Sequence, residues 1–415
     1  MEVRVPSPRF YYGWVIAAVS ALVAFSSGPG QSYVFSVFID PMIAETGYAR
    51  SEVSLLYAVG TALSAAVVSL VGRAAVRHGP RRMILVTAGM LGAACLLLAS
   101  AGSLLVFAVA LALLRALGQG SLPINGTLLI AEWFERYRGR AVGVMGLGFA
   151  TSAAILPVLS RALIDAVGWR EAYAVLGMMV WLLVLPATSL LVRDTPESLG
   201  LRVDGGPSAA PAGAAPAAAA SPDRRRVLRS TRFWALAIPL ATPSFVVTAL
   251  IFHQAGIFEE RGLSATTAAA VFVPFAAASA LFTLAAGALI DRWGPRRAFF
   301  FAMLLMLAAV LSLHAVDSVP RAIAYAALLG ASSSVSQTTF GVIWAHFYGL
   351  PGLGRIQGSA MMIAIGAAAL GPVPLALVHD GLGTFTPGVA ALSLLPVLAM
   401  LGMRRARVMS EHISG

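Results

Sequence analysis

Long apolar stretches alternate with short polar turns along the whole chain. Twelve of these stretches are long enough to cross a bilayer as helices, at about 20 residues per crossing. We number them spans 1 to 12: 14–36, 53–72, 83–101, 104–131, 141–164 and 173–192, then 233–258, 265–289, 298–316, 321–346, 357–378 and 386–403. The pattern predicts an all-α membrane protein with twelve transmembrane helices.

One polar break is much longer than the others. It separates span 6 from span 7, and residues 207–222 within it are almost entirely Ala, Pro, Gly and Ser. This composition is typical of a flexible linker. The sequence therefore predicts three regions: an N-terminal six-helix half at 1–193, a flexible cytoplasmic linker at 194–231 and a C-terminal six-helix half at 232–415.

The composition agrees with a membrane location and indicates an orientation. Only 11% of the residues are charged, whereas soluble proteins have about 25%. All 29 basic residues are arginines, and with the N-terminus inside only Arg50, Arg161, Arg170, Arg261 and Arg321 lie in outside loops. This asymmetry places both termini in the cytoplasm. The net charge of +11 then follows from topology, and no nucleic-acid partner is expected.

A basic turn occurs twice, once in each predicted half. It reads GRAAVRHGPRR at 72–82, between spans 2 and 3, and GALIDRWGPRR at 287–297, between spans 8 and 9. Both copies resemble the loop signature of the major facilitator superfamily, although Val76 replaces the usual aspartate in the first. The resemblance implies two pseudo-symmetric halves around a central substrate site. It also implies an inside gate formed by these residues: Arg77, Arg81, Arg82, Gly287, Asp291, Arg292, Gly294, Arg296 and Arg297.

Further motifs are similar to one branch of that superfamily. They are FYYGW at 10–14, WF at 133–134 with RGRA at 138–141, GWR at 168–170 and TPE at 195–197. Together they resemble the bacterial monocarboxylate and oxalate/formate transporters. The resemblance implies a secondary transporter of a small organic acid in the bacterial inner membrane, driven by proton symport or anion exchange. A monomer without cofactor, metal or enzymatic activity is expected.

Polar side chains are concentrated in spans 1, 4, 7 and 10. Because polar groups in a membrane usually face the helix bundle or a cavity, they are candidates for substrate binding. In the superfamily these four helices line the central cavity. The candidate substrate-binding residues, including two from spans 2 and 8, are Arg115, Gln119, Asn125, Gln31, Tyr33, Tyr57, Thr248, His253, Gln337 and Thr283.

Arg115 is the most informative candidate. At 1.5 Å per residue it lies about 16 Å from the outer end of span 4, close to the bilayer midplane. Arginine stays protonated, and the sequence places no carboxylate clearly at this depth, which favours an anionic ligand. In the alternative, Arg115 with Gly118 and Gly120 resembles a superfamily motif whose arginine bonds backbone carbonyls of span 1. The sequence is compatible with both roles, substrate binding and structural support.

His253 is the second candidate, in the outer part of span 7. An imidazole can exchange a proton near neutral pH, so His253 is a candidate carrier of a coupled proton. The alternative is a neutral histidine that is hydrogen-bonded at the cavity mouth.

One departure from the branch affects the substrate prediction. Thr283 occupies the position at which the branch usually has an arginine in span 8, and span 8 has no basic residue. The alternatives are therefore an exporter of a neutral or drug-like metabolite, or a membrane sensor that does not transport.

Overall fold

The structure is a computed structural model, and it describes residues 11–205, 228, 230–348 and 353–411. Over these residues the chain is helical and contains no β-strand. The predictions for the two termini and for the flexible linker concern residues that lie largely outside the described ranges.

The first eight helices cover predicted spans 1 to 6. They are α1 (Gly13–Ser26), α2 (Ser32–Thr46), α3 (Arg50–His78), α4 (Pro80–Ala99), α5 (Leu104–Leu114), α6 (Leu122–Trp133), α7 (Arg138–Val167) and α8 (Trp169–Leu191). Span 1 is divided by a 3₁₀ turn at Gly28–Gly30, and span 4 contains a π-helical turn at Arg115–Ser121. Helix α2 continues to Thr46, beyond the predicted end at 36, because its further apolar residues Val37, Ile39 and Met42 are buried.

The remaining helices cover spans 7 to 12. They are α9 (Thr231–Glu260), α10 (Ala265–Ala270), α11 (Phe272–Leu313), α12 (Val319–Tyr348), α13 (Leu353–Leu370), α14 (Pro372–Leu382), α15 (Thr386–Leu392) and α16 (Leu394–Glu411). Helix α11 covers both span 8 and span 9. It is interrupted at Gly294, whose φ of 80° and ψ of 155° are not helical. A positive φ is favourable for glycine because it has no Cβ.

Ten segments of the described chain are long and apolar enough to cross a membrane. One of them, Ala265–Leu313, contains both predicted spans 8 and 9, and α12 is not among the ten. The number of twelve crossings therefore stays a prediction.

The helices form two compact units. The first consists of Met1–Gln31, Leu63–Ser152 and Val167–Ala217, and the second of Ser32–Ala62, Ala153–Ala166 and Ala218–Gly415. In the first unit, α4 packs along α8 and α1 packs on α6 and α8. In the second unit, α9 packs on α2, α13 and α16, and α11 packs on α12. The boundary between the units thus passes through predicted spans 1, 2 and 5.

Candidate functional site

Arg115 lies in the first unit, where the break in span 1 meets the π turn of span 4. Its side chain is buried, with 1% of its surface exposed, and Nη1 donates a hydrogen bond of 2.6 Å to the carbonyl oxygen of Gly30. The two segments approach so closely that a Cβ added to Gly30 would lie only 2.7 Å from the Cα of Gly118. The proline at position 29 cannot continue a helical hydrogen-bond pattern. Arg115 therefore bonds a carbonyl of the broken helix, as the structural alternative predicted.

Two glutamines accompany this contact. Nε2 of Gln31 donates to Ser27 Oγ at 3.3 Å and to the carbonyl oxygen of Gly118 at 3.4 Å. Oε1 of Gln119 is buried and has no hydrogen-bond partner among the described residues. A buried amide oxygen without a partner is unfavourable by about 1–3 kcal/mol. This atom is therefore a position at which a ligand donor would be stabilised.

Asn125 lies away from this contact, between two helices. Its Nδ2 donates to the Ser121 carbonyl at 2.9 Å and to Thr87 Oγ1 at 3.4 Å, and the residue is fully buried. The structure thus places Asn125 between α6 and α4, and its predicted contact with substrate stays a prediction.

Tyr33 and Tyr57 belong to an aromatic cluster in the second unit. The hydroxyl of Tyr57 is 2.6 Å from Ser32 Oγ, and its ring lies 4.6 Å from the ring of Phe252 and 5.8 Å from that of Phe35. Tyr57 is fully buried. Tyr33 is half-buried and its ring lies 6.3 Å from that of Phe272. The cluster joins α2 and α3 to the helices of the C-terminal part of the chain.

His253 is also fully buried in the second unit. Its Nε2 lies 2.9 Å from the carbonyl oxygen of Pro372, at the start of α14. Because a carbonyl only accepts hydrogen bonds, Nε2 carries the proton in the neutral ring and Nδ1 is the basic nitrogen. Nδ1 is buried and has no partner among the described residues. The site thus contains one nitrogen that can accept a proton and one that fixes the ring.

The other three candidates in the second unit are more accessible. Thr248 is half-buried, whereas Gln337 and Thr283 are exposed. The Thr283 hydroxyl donates to the carbonyl oxygen of Ser279 at 2.7 Å within its own helix. Thr283 is therefore engaged locally and does not replace the missing arginine as a charged group.

A cluster built around charged residues in the second unit was not predicted from the sequence, and we call it the Arg50 cluster. It consists of Asp40, Arg50, Ser51, Asp380 and Phe385. Arg50 forms an ion pair with Asp40, and its guanidinium lies 5.3 Å from the centre of the Phe385 ring. Oδ2 of Asp380 accepts a hydrogen bond of 2.8 Å from the backbone amide of Ser51. Asp380 lies in the last turn of α14, and its contact joins α14 to the start of α3. A carboxylate at a helix N-terminus is stabilised by the helix dipole.

Glu260 adds a second contact on the same side of the unit. Its carboxylate accepts hydrogen bonds from the Phe385 amide, at 2.8 Å, and from the Thr384 hydroxyl. The contacts of Glu260 and Asp380 could not be predicted from the sequence, because both residues lie at helix ends far apart in the chain and are typical of solvated positions.

A cavity of about 350 Å³ opens beside the Arg50 cluster. Its polar lining is Ser36, Asp40, Arg161, Gln254, Glu259 and Ser264. Gln254 is buried and its Nε2 donates to the carbonyl oxygen of Ala268 at 2.7 Å. The size suits a small molecule.

The first basic turn is closed by a carboxylate. Oδ1 of Asp194 accepts a hydrogen bond of 3.3 Å from the Arg81 amide, and Arg81 Nη2 donates to the Ser189 carbonyl at 2.7 Å. Arg77 and Arg82 are exposed. The turn lacks the aspartate of the motif at position 76. Asp194, which follows span 6, nevertheless provides a carboxylate at this turn.

The second basic turn is more open. Gly287, Asp291, Arg292 and Arg297 are exposed. The guanidinium of Arg296 lies 5.8 Å from the centre of the Phe300 ring.

The family follows from comparison with known sequences. The family model of the Major Facilitator Superfamily matches residues 20–372, which is most of the chain. The chain belongs to the major facilitator superfamily. The predicted resemblance is confirmed, and the protein is a multi-pass membrane transporter rather than an enzyme.

Two relatives align with most of this chain. An uncharacterised 38 kDa protein in a 23S RNA operon of Thermoproteus tenax is 30% identical, over 73% of this chain and 72% of its own. Human monocarboxylate transporter 11 is 28% identical, over 90% of this chain and 79% of its own.

The fold has solved examples. A bacterial homologue of the human lysosomal transporter Spinster, in an inward-facing and unoccupied conformation, superimposes with a TM-score of 0.69. The two share 17% identity, and the match covers 97% of this chain and 94% of the other. At this identity the likeness concerns the fold alone.

Proposed function

We propose that this transporter moves a small organic acid, a monocarboxylate-like anion, across the bacterial inner membrane by alternating access. The observation that carries the proposal is the charge of the interior. Among the described residues, Arg115 is the only arginine with a buried side chain, and no carboxylate is buried. The alignment with a monocarboxylate transporter over 90% of the chain supports the same substrate class.

The charge argument has a simple energetic basis. An arginine at the centre of a membrane helix is unfavourable by about 2.5–3.5 kcal/mol on insertion scales. An anion that enters the same low-dielectric region offsets part of this penalty and is itself stabilised by the fixed positive charge. A neutral substrate gains no comparable energy.

Arg115 acts in this proposal mainly through its charge and through the position it gives to span 1. With 1% of its surface exposed and Nη1 on Gly30, it is poorly placed for direct contact in this conformation. The side chains of Gln31 and Gln119 are half-buried, and their Nε2 groups can donate hydrogen bonds to a carboxylate. They are the proposed contacts, with Arg115 as the positioning residue.

Alternating access needs closures on the two sides of the membrane. The Arg50 cluster and Glu260 lie at or near helix ends that the arginine distribution predicts to face the periplasm. Within the second unit they tie α2 and α3 to α9, α14 and the start of α15. We assign them to the outer closure, and the two basic turns to the inner gate. In this proposal Ala265–Leu313 crosses the membrane twice and α12 crosses it once. The ten apolar segments and α12 together then make the twelve crossings of the predicted topology.

Coupling by protons is assigned to His253 in the symport form of the proposal. Its Nδ1 can accept a proton while Nε2 continues to donate to Pro372. In the anion-exchange form, the histidine only supports the start of α14. Exchange and proton-driven accumulation can be measured separately, so the two forms are distinguishable.

The proposal can be tested by ligand-dependent thermal stabilisation of the purified protein, using small carboxylates and neutral metabolites. A ligand at a hundred times its dissociation constant stabilises by about 2.7 kcal/mol. We expect stabilisation by small carboxylates that is lost in Arg115→Gln and largely kept in Arg321→Gln, an exposed arginine paired with Asp317. Unchanged carboxylate affinity in folded Arg115→Gln would contradict the charge argument. Stabilisation by neutral compounds only would replace the substrate class with the exporter alternative.

A further inference from the structure

A cleft of about 480 Å³ lies at the second basic turn, at the end of α12 and near the end of α16. It is lined by Trp293, Gly294, Pro295, Arg296, Arg297, Phe300, His346 and Arg404. Three of these residues are arginines, and none of the lining residues among the described part of the chain is a carboxylate. The cleft is therefore strongly positive, and the transport proposal gives it no ligand.

The first basic turn shows what such a turn can bind. Gly79 and Gly294 have nearly the same backbone conformation, with φ of 81° and 80° and ψ of 148° and 155°. A Pro-Arg-Arg sequence follows each glycine and starts the next helix. At Gly79 an added Cβ would lie 2.9 Å from Oδ1 of Asp194, but at Gly294 it would meet no described atom within 4 Å. Among the described residues, none fills in the second turn the position that a carboxylate occupies in the first.

The arginines around this open position are held by an aromatic ring. The guanidinium groups of Arg296 and Arg404 lie 5.8 and 5.7 Å from the centre of the Phe300 ring. A cation–π contact restricts an arginine to one region, and a guanidinium carries five N–H donors. Arginine forks match the oxygens of a phosphate group and bind it in a bidentate manner.

We propose that this cleft binds a phosphate ester, whose oxyanion takes the place that the Asp194 carboxylate takes in the first turn. The helix that starts at Pro295 adds its N-terminal dipole, which favours an anion. Trp293 has 46% of its surface exposed beside the cleft, and tryptophan is typical of the membrane interface. An anionic phospholipid headgroup has the required chemistry, and a soluble phosphate monoester shares it.

The two sources are separated by titrating delipidated full-length protein with different ligands. One arm uses phosphatidylglycerol and, as its zwitterionic control, phosphatidylcholine with the same acyl chains. The other arm uses glycerol phosphate and inorganic phosphate. Bound ligand is counted by native mass spectrometry. Preferential retention of phosphatidylglycerol assigns the site to lipid, whereas saturable binding of glycerol phosphate without lipid preference assigns it to a soluble ester.

The residues are tested with Arg404→Gln and Arg297→Gln, both at exposed positions. The matched control is Arg140→Gln, which removes an exposed arginine that lies over the Tyr137 ring and outside the cleft. Charge-assisted hydrogen bonds are strong enough that each cleft variant should lower the affinity for the phosphate ligand about tenfold or more. The control should keep it within about twofold. Equal retention of both lipids with no binding of either soluble phosphate, or equal losses in the cleft and control variants, would overturn the proposal.

Discussion

The contact between Gly30 and the π turn of span 4 predicts a large effect of one methyl group. In Gly30→Ala the new Cβ would lie 2.2 Å from the Leu114 carbonyl oxygen and 2.7 Å from the Gly118 Cα. Both are backbone atoms, so the two backbone segments, at the break of span 1 and at the π turn of span 4, must separate by about 1 Å or more to reach van der Waals distance. Overpacking of this kind destabilises by about 1–3 kcal/mol. The shift also weakens the bond from Arg115 to Gly30, worth about 1.5–3 kcal/mol for a charged donor.

The expected sum is about 2.5–6 kcal/mol. A domain of 150–250 residues loses about 2–4 °C in Tm per kcal/mol, so Gly30→Ala should lower the apparent Tm of the purified protein by at least about 5 °C. The control is Gly146→Ala within α7, where an added Cβ meets nothing within 4 Å. It should be neutral or slightly stabilising, since alanine favours helices over glycine. A Tm of Gly30→Ala within about 1 °C of the control would refute the assignment of a tight contact at the break.

Three further predictions concern other contacts. His253→Gln keeps a donor for the Pro372 carbonyl, so it should fold and exchange substrate but lose accumulation driven by a pH gradient in proteoliposomes. Full accumulation in that variant would exclude His253 as the proton carrier. Asp380→Asn should weaken the bond to the Ser51 amide and increase labelling of an outer-face cysteine probe several-fold, and unchanged labelling would exclude a closing role. Asp194→Ala should lower the stability by about 0.5–2 kcal/mol through loss of a helix-terminal acceptor, measured as Tm.

The helical segments were predictable because each reads as a long apolar run bounded by arginines or by glycine and proline. The start of α9, predicted at 233 and found at Thr231, shows how well this works. The compact units were not predictable in the same way. Residues 32–62 pack with the C-terminal part of the chain, and nothing in a local hydrophobic pattern records which distant helix a segment contacts.

The site was predicted only where chemistry is unusual for a membrane. Arg115 stood out because a charge in mid-membrane is unfavourable, and its contact with span 1 followed from the adjacent helix break. Asn125 stood out as a polar residue in a membrane span. The structure shows it hydrogen-bonded to Thr87 of α4, and its contact with substrate stays a prediction. Asp380 and Glu260 were missed because a carboxylate at a helix end is ordinary, and its role depends on a partner far away in the sequence.

The central claim is that the interior of the transporter is selective for a small organic anion because of Arg115. The most direct measurement is uptake of a radiolabelled monocarboxylate into proteoliposomes, compared between the wild type, Arg115→Gln and Arg321→Gln at equal amounts of folded protein. The account predicts saturable uptake in the wild type and Arg321→Gln, and a loss of at least tenfold in Arg115→Gln. Equal uptake in all three, or saturable uptake of neutral compounds alone, would contradict it.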